Sequence, residues 1–290
     1  MTSGLFSYQM TMSHKIIIFI TALFLALSVS GCAIGKSFVL REDLADAIAR
    51  DRGLAKNYIK SGRFTLVSYS RFNAPARALR VYIEGDGKAW KSRRRLSHDP
   101  TPSNPLALRL AAVDESANVA YLARPGQYQP SNAESCDSTY WSARRFAPEV
   151  IDAVNGAIDK LKINSGAGNI ELVGYSGGGA IAVLVAARRK DVVSLRTVAG
   201  NLDHIAVSNY HNVSRLKGSL NPIDTAPIIS KLPQRHFIGG DDKRIPAHIV
   251  ESFVEKTGDR PHTRITNVKG AAHGSGWAEK WPELLLLPPS

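Results

Sequence analysis

A serine framed by glycines, between an apolar strand and an apolar helix, constrains this chain more than any other feature. Ile170-Glu171-Leu172-Val173 reads as a buried strand, Gly174-Tyr175-Ser176-Gly177-Gly178-Gly179 as a sharp turn, and Ala180 to Ala187 as a helix apolar on every side. A serine at the tip of such a turn needs a strained backbone, and glycines two positions to either side let strand and helix approach without colliding side chains. The helix start behind Ser176 also presents free N–H groups and a positive dipole end to a developing oxyanion. A phosphate-binding turn is disfavoured, because the Lys-[Ser/Thr] of a P-loop and a complete G-x-G-x-x-G are both absent.

Around that turn, strand and helix patterns alternate. Extended segments are expected at Phe64 to Ser70, Leu79 to Glu84, Val119 to Leu122, Ile170 to Val173, Val192 to Val198, His236 to Ile238 and Thr263 to Val268. Helices are expected at Pro105 to Glu115, Pro148 to Leu161, Gly178 to Arg189 and Ala247 to Lys256, with a short one at Glu42 to Arg52. Parallel neighbours need crossovers, so the pattern predicts an α/β fold: a three-layer α/β/α sandwich around a mostly parallel, doubly wound sheet. The first two strands, joined by Asn73-Ala74-Pro75, are expected to form an antiparallel edge hairpin. Two long irregular stretches, Gly85 to Asn104 and Gly200 to Pro233, are expected to overhang the carboxyl ends of the strands, where open α/β sheets bind ligands. The Leu284 to Leu287 run, stopped by Pro288 and Pro289, reads as packing.

Ser176 is followed by Gly239-Gly240-Asp241-Asp242-Lys243-Arg244-Ile245-Pro246 after one strand and Gly270-Ala271-Ala272-His273-Gly274 after another, giving the order Ser, Asp, His. From about residue 60 to 280 the chain resembles the α/β-hydrolase superfamily, most closely its exported, esterase-like serine hydrolases. The resemblance implies an acid in a G-x-x-D-x-x-[V/I]-P turn, which maps onto Asp242, and a histidine after the last strand, which maps onto His273. Asp241 and Asp203 stay open as alternative acids. A serine hydroxyl is a poor nucleophile at neutral pH, so an imidazole must take its proton and a carboxylate must fix the imidazole tautomer. His98, His204, His211, His236, His248 and His262 read as structural or surface groups. The oxyanion hole is expected to combine the N–H of Gly177 with that of Asp86, with Gly85 or Gly87 as alternatives. Many relatives carry His-Gly where this chain has Glu84-Gly85-Asp86-Gly87; a carboxylate there must point away or pair, and Lys88 is the partner at hand.

The expected function is hydrolysis of an ester or related acyl bond in a small-molecule or lipid substrate, through an acyl-enzyme and without cofactor or metal. The alternatives are a non-catalytic binding protein on the same fold, or an acyltransferase or lyase, because a fold does not settle a reaction.

At the amino terminus His14 and Lys15 precede an uncharged run, Ile16 to Val29. As a helix it reaches about 21 Å, short of the roughly 30 Å hydrocarbon core, and it reads as a signal-peptide core. Met12 is an alternative start. Val29-Ser30-Gly31-Cys32 resembles a bacterial lipobox, which implies cleavage before Cys32, lipidation of its thiol and a membrane partner. Ala33 follows where lipoproteins retained in the inner membrane often carry Asp, so the outer membrane of a diderm envelope is the preferred location. The expected division is a signal peptide at 1–31, an anchor-proximal segment at 32–59 and the hydrolase domain at 60–290. Cys136, the other of two cysteines, then lacks an intramolecular partner and reads as a packed or partly exposed thiol; neither a disulfide framework nor zinc-ligand spacing exists.

The balance of 37 Lys+Arg against 25 Asp+Glu gives a net charge of +12, yet no nucleic-acid motif accompanies it, so no nucleic-acid partner is expected. Lys88, Lys91, Arg93, Arg94 and Arg95 form a basic loop near the proposed oxyanion strand. A solvated surface is its plain reading, and attraction of an anionic substrate or membrane headgroup its sharper one.

Overall fold

The computed structural model describes residues 41–290 except 76, 93, 130–135 and 259. The signal-peptide and lipobox readings with Cys32, and Arg93 of the basic loop, lie outside the described residues. The chain divides into Met1–Leu44 and a second unit, Ala45–Ser290, which carries every strand among the described residues. A helix, α1, covers 41–50.

The second unit is built on eight strands in the order β1-β2-β6-β3-β7-β8-β9-β10. They are β1 (Ala55–Ser61), β2 (Phe64–Phe72), β3 (Leu79–Ile83), β6 (Asn118–Leu122), β7 (Ile170–Tyr175), β8 (Val192–Val198), β9 (Gln234–Gly239) and β10 (Thr263–Val268). From β6 to β10 every pair is parallel; β1 with β2 and β2 with β6 are antiparallel. The parallel crossovers run through α2 (Leu106–Ala112), α3 (Pro148–Ser165), α4 (Gly177–Ala186), α5 (His204–Tyr210) and α6 (Ala247–Thr257), and α7 (Trp281–Leu286) closes the chain. The α/β, doubly wound three-layer arrangement is therefore the one the alternating pattern demanded.

Side chains alternate across the sheet, as the strand period of two requires. Val81 and Ile83 enter the core that packs under α3, α4 and α6, whereas Tyr82 between them enters the opposite core with α2, Trp277 and Trp281. Leu284, Leu285 and Leu287 pack against that second core while Leu286 is exposed, so the terminal leucine run does pack.

Three details differ from the sequence reading. The edge hairpin is β1–β2, turning at Gly62-Arg63, rather than β2–β3, and β3 lies in mid-sheet between β6 and β7. Strand β1 begins inside the stretch 32–59, read as anchor-proximal, and runs across its boundary to Ser61, and residues 45–59 belong to the same unit as the sheet. The two long connections are also partly regular: the first folds a small hairpin, β4 (Trp90–Ser92) with β5 (Arg95–Leu96), and the second holds α5 and a 3₁₀ segment at Pro222–Ile229.

The topology fixes where a ligand belongs. From β3 the chain leaves toward β6 on one side, and from β7 toward β8 on the other, so adjacent strands diverge at their carboxyl ends and open a crevice. Asp86 follows β3 and Ser176 follows β7.

Candidate active site

Ser176 sits at the tip of the β7–α4 turn with φ 51° and ψ −118°, a conformation seldom taken by a residue with a Cβ. The turn holds because its neighbours have no side chains. A Cβ on Gly174 would stand 2.3 Å from the Gly178 carbonyl oxygen, and one on Gly178 would stand 2.1 Å from that of Ile83. The strained serine is fastened by its own backbone, whose N–H donates to Val198 O and whose carbonyl accepts from Gly179 and Asn201.

His273 comes from the loop after β10 and Asp242 from the turn after β9. Nδ1 of His273 lies 2.9 Å from Asp242 Oδ2, and Nε2 lies 3.0 Å from Ser176 Oγ. An ionised carboxylate only accepts, so the proton belongs on Nδ1 and the free Nε2 lone pair faces the serine hydroxyl. The other carboxylate oxygen of Asp242 accepts the N–H groups of Arg244 and Ile245 at 2.7 and 3.0 Å. Burial pushes the Asp242 carboxyl up, but the His273 hydrogen bond and charge and these N–H groups outweigh it and hold it below its usual range. The alternative acids are elsewhere: Asp203 caps α5, accepting from Ile205 and Ala206, and Asp241 is exposed. Tyr175 packs its ring against the His273 imidazole, centroids 5.5 Å apart. Of the remaining histidines, His236 is buried in the core beside Thr197, where burial lowers it to about 3 and keeps it neutral. Cys136 is a half-buried free thiol that burial pushes up to about 11.

Gly177 opens α4, so its N–H belongs to the first turn, which has no helical acceptor. Next to it stands the Asp86 carboxylate, whose Oδ1 would lie 2.1 Å from a Cβ at Gly177. Its partner is not Lys88, which is exposed, but two guanidiniums from distant loops: Arg124 at 3.2 Å and Arg145. Burial pushes the Asp86 carboxyl up, yet Arg145 and then Arg124 reverse this and keep it ionised. The charge beside Gly177 is thereby paired by two guanidiniums. Of the backbone donors considered in this strap, Gly85 is already committed, giving its N–H to Glu84 Oε1 at 2.9 Å.

Arg124, Arg145, Glu84 and Tyr175 were not singled out from the sequence. Two of them had a signal: Glu84 follows β3, buried at all but Arg80, and Arg124 follows β6, buried throughout, and a charge just past such a run sits at the rim of the sheet.

Glu84 is buried, 1% exposed, and burial raises its carboxyl to about 7, with the N–H groups of Gly85 and Ala107 pulling the other way. In the folded chain it keeps its proton up to about pH 7, whereas unfolded it releases it near pH 4.5. Stability therefore falls as pH rises through that window, by about 3 kcal/mol from this group, and levels above it. Glu84→Gln cannot ionise and should lack this fall. Urea unfolding of both proteins at pH 5 and pH 8 checks it; equal pH slopes would refute it.

Among the described residues no group of three His, Cys, Asp or Glu side chains is gathered as metal ligands, and no helix is long and apolar enough to cross a membrane.

No family model and no curated protein matches the sequence. Solved structures do match in shape. An esterase from Pyrococcus furiosus superposes with a TM-score of 0.56 at 13% identity, over 80% of this chain and 89% of that one. An acylaminoacyl peptidase from Pyrococcus horikoshii gives 0.58 at 14%, over 80% of this chain but 40% of the peptidase. An alpha-beta serine hydrolase homologue from Coxiella burnetii gives 0.52 at 17%, over 79% and 93%. Together with the sheet order, these likenesses establish the α/β-hydrolase fold.

Proposed function

We propose that this chain is a serine hydrolase that cleaves an ester or related acyl bond through an acyl-enzyme. One observation carries the reading: an unbroken path from Asp242 through His273 to Ser176, with steps of 2.9 and 3.0 Å, at the crevice where the strand order reverses. The esterase and peptidase names of the structural neighbours agree with it.

In this reading the Ser176 Oγ attacks the substrate carbonyl carbon while its proton passes to His273 Nε2. Asp242 stabilises the imidazolium so formed. The carbonyl oxygen becomes an oxyanion and takes hydrogen bonds from the N–H groups of Gly177 and Asp86 at the positive end of α4. Collapse re-forms the carbonyl, breaks the bond to the leaving oxygen and returns the proton from His273 to it as an alcohol. Water, deprotonated by the same histidine, then attacks the acyl-enzyme and frees the carboxylic acid and Ser176. The chemistry needs no cofactor or metal.

The experiment is covalent trapping. A fluorophosphonate should phosphonylate the protein once, and the mass-tagged peptide should carry the adduct on Ser176. Well-folded protein that takes no label would favour a non-catalytic binding role, and an adduct elsewhere would move the nucleophile.

The placement of the enzyme is likewise proposed, from residues 1–33 alone: a signal peptide at 1–31 and lipidation at Cys32, anchoring residues 32–290 in a bacterial envelope, in the outer membrane where there are two. Cells fed an alkyne fatty acid should tag the wild type and not Cys32→Ala; equal tagging would remove the anchor.

A further inference from the structure

The β4–β5 hairpin grows directly out of the strap that carries Asp86, and its base is firmly footed. Lys88 N–H donates to Pro100 O at 2.9 Å, Ser97 N–H to Ala89 O at 2.9 Å, and the Trp141 indole N–H to Ser97 O at 3.0 Å. Ala89 and Ser97 are each 4% exposed. Above that base the character of the surface changes.

Trp90 is 44% exposed, whereas the other three tryptophans, Trp141, Trp277 and Trp281, are buried at 7%, 0% and 0%. Around it Lys88, Lys91, Arg94 and Arg95 all face solvent, and the chain from Gly87 to His98 contains no acid. None of these four cations forms an ion pair among the described residues, although Arg80, Arg124, Arg145 and Arg189 elsewhere do. An indole has an apolar body and one polar N–H, which suits the headgroup layer of a bilayer, and unpaired Lys and Arg beside it suit lipid phosphates. Strands of three and two residues offer little edge for pairing with another chain.

We propose that this hairpin docks on an anionic phospholipid surface, Trp90 entering the headgroup layer and Lys88, Lys91, Arg94 and Arg95 meeting lipid phosphates. Resting on the hydrolase reading, the proposal adds a substrate class: the hairpin stands beside the Asp86 strap, so docking turns the Ser176 rim toward amphiphilic esters held in that surface. The docking itself needs neither the reaction nor the Cys32 anchor.

The test uses the full chain with vesicles of phosphatidylcholine alone or with about one third phosphatidylglycerol. Whatever the amino terminus contributes is common to all variants, so the quantity read is the gain in partitioning caused by the anionic lipid. Each basic residue at such a surface contributes about fivefold, so the gain should be large at low salt and shrink as salt rises. Arg94→Glu/Arg95→Glu should lower it by about 25-fold or more. The emission of Trp90, the one indole exposed to solvent, should shift to the blue on anionic vesicles, and Trp90→Phe should lose that shift.

Equal partitioning into the two vesicle types, or an unshifted Trp90, would overturn the proposal. So would binding to heparin or duplex DNA with none to vesicles. Ser176→Ala should dock as the wild type does, which separates the two readings: docking without fluorophosphonate labelling removes only the hydrolase, and labelling without anionic preference removes only the docking. Hydrolysis of a short, water-soluble ester should survive the Arg94/Arg95 reversal, and its loss in proportion to vesicle binding would reassign those residues to the ester site.

Discussion

Ser176→Ala is expected to take the fluorophosphonate label to zero and to lower kcat on a short ester by on the order of 10⁶-fold, with the melting temperature nearly unchanged. The side chain lost is small and half-exposed, and the strained turn is held by backbone bonds that alanine keeps, from Val198, Gly179 and Asn201. His273→Ala is expected to cost about as much, and the double variant little more than either, because a hydroxyl and the base 3.0 Å away act as one unit. A small activity above the uncatalysed rate should persist, since the proposed oxyanion donors, the N–H groups of Gly177 and Asp86, are untouched. Michaelis constants should move little compared with kcat. If the two single losses multiplied in the double variant, Ser176 and His273 would be acting independently and the proton relay between them would be wrong.

What could be read from the sequence follows how far apart the interacting residues lie. The elbow is contiguous: strand, glycines, serine and helix are one segment, so its pattern is legible locally even though Val198, Asn201 and Ile83 help to hold it, and Ser176 has the predicted strain. Asp242 and His273 needed the family likeness, because nothing in spacing selects Asp242 over Asp241. The edge of the sheet departs from the sequence pattern for a different reason. β2 pairs with β1 and with β6, and β1 has a weak pattern, Ala-Lys-Asn-Tyr-Ile-Lys-Ser, with only Ile59 and Ser61 buried. A strand with so little apolar face gives almost no periodic signal, and Asn73-Ala74-Pro75 then made β2 and β3 look like a hairpin. The partners of Asp86 show the same limit. Lys88 is two residues away and exposed, while Arg124 and Arg145 lie 38 and 59 residues on and are brought in by the end of β6 and the loop before α3. A buried carboxylate announces that it needs cations, but only the fold says which.

Gly178→Ala should be among the most damaging small changes available to this chain. The new Cβ would lie 2.1 Å from the carbonyl oxygen of Ile83 and 2.6 Å from that of Glu84, both backbone atoms of the β3 end and therefore unable to rotate away. Either β3 retreats from β7 and α4 or the start of α4 tilts outward, and forcing a methyl group into such packing costs about 3 kcal/mol or more. Gly168→Ala is the matched control, with nothing within 4 Å of its Cβ and no left-handed φ, and should stay within about 0.5 kcal/mol of wild type. The same displacement reaches the chemistry. Asp86 is carried two residues beyond Glu84, so moving the β3 end moves its N–H, the proposed second oxyanion donor, relative to Ser176, and losing one such donor costs about 10² to 10³ in kcat. The folded fraction of Gly178→Ala should therefore take the fluorophosphonate slowly even where circular dichroism reports a native sheet. Normal kcat in a destabilised Gly178→Ala would mean that the β3 strap is only a structural neighbour of the serine and that the second oxyanion donor comes from elsewhere.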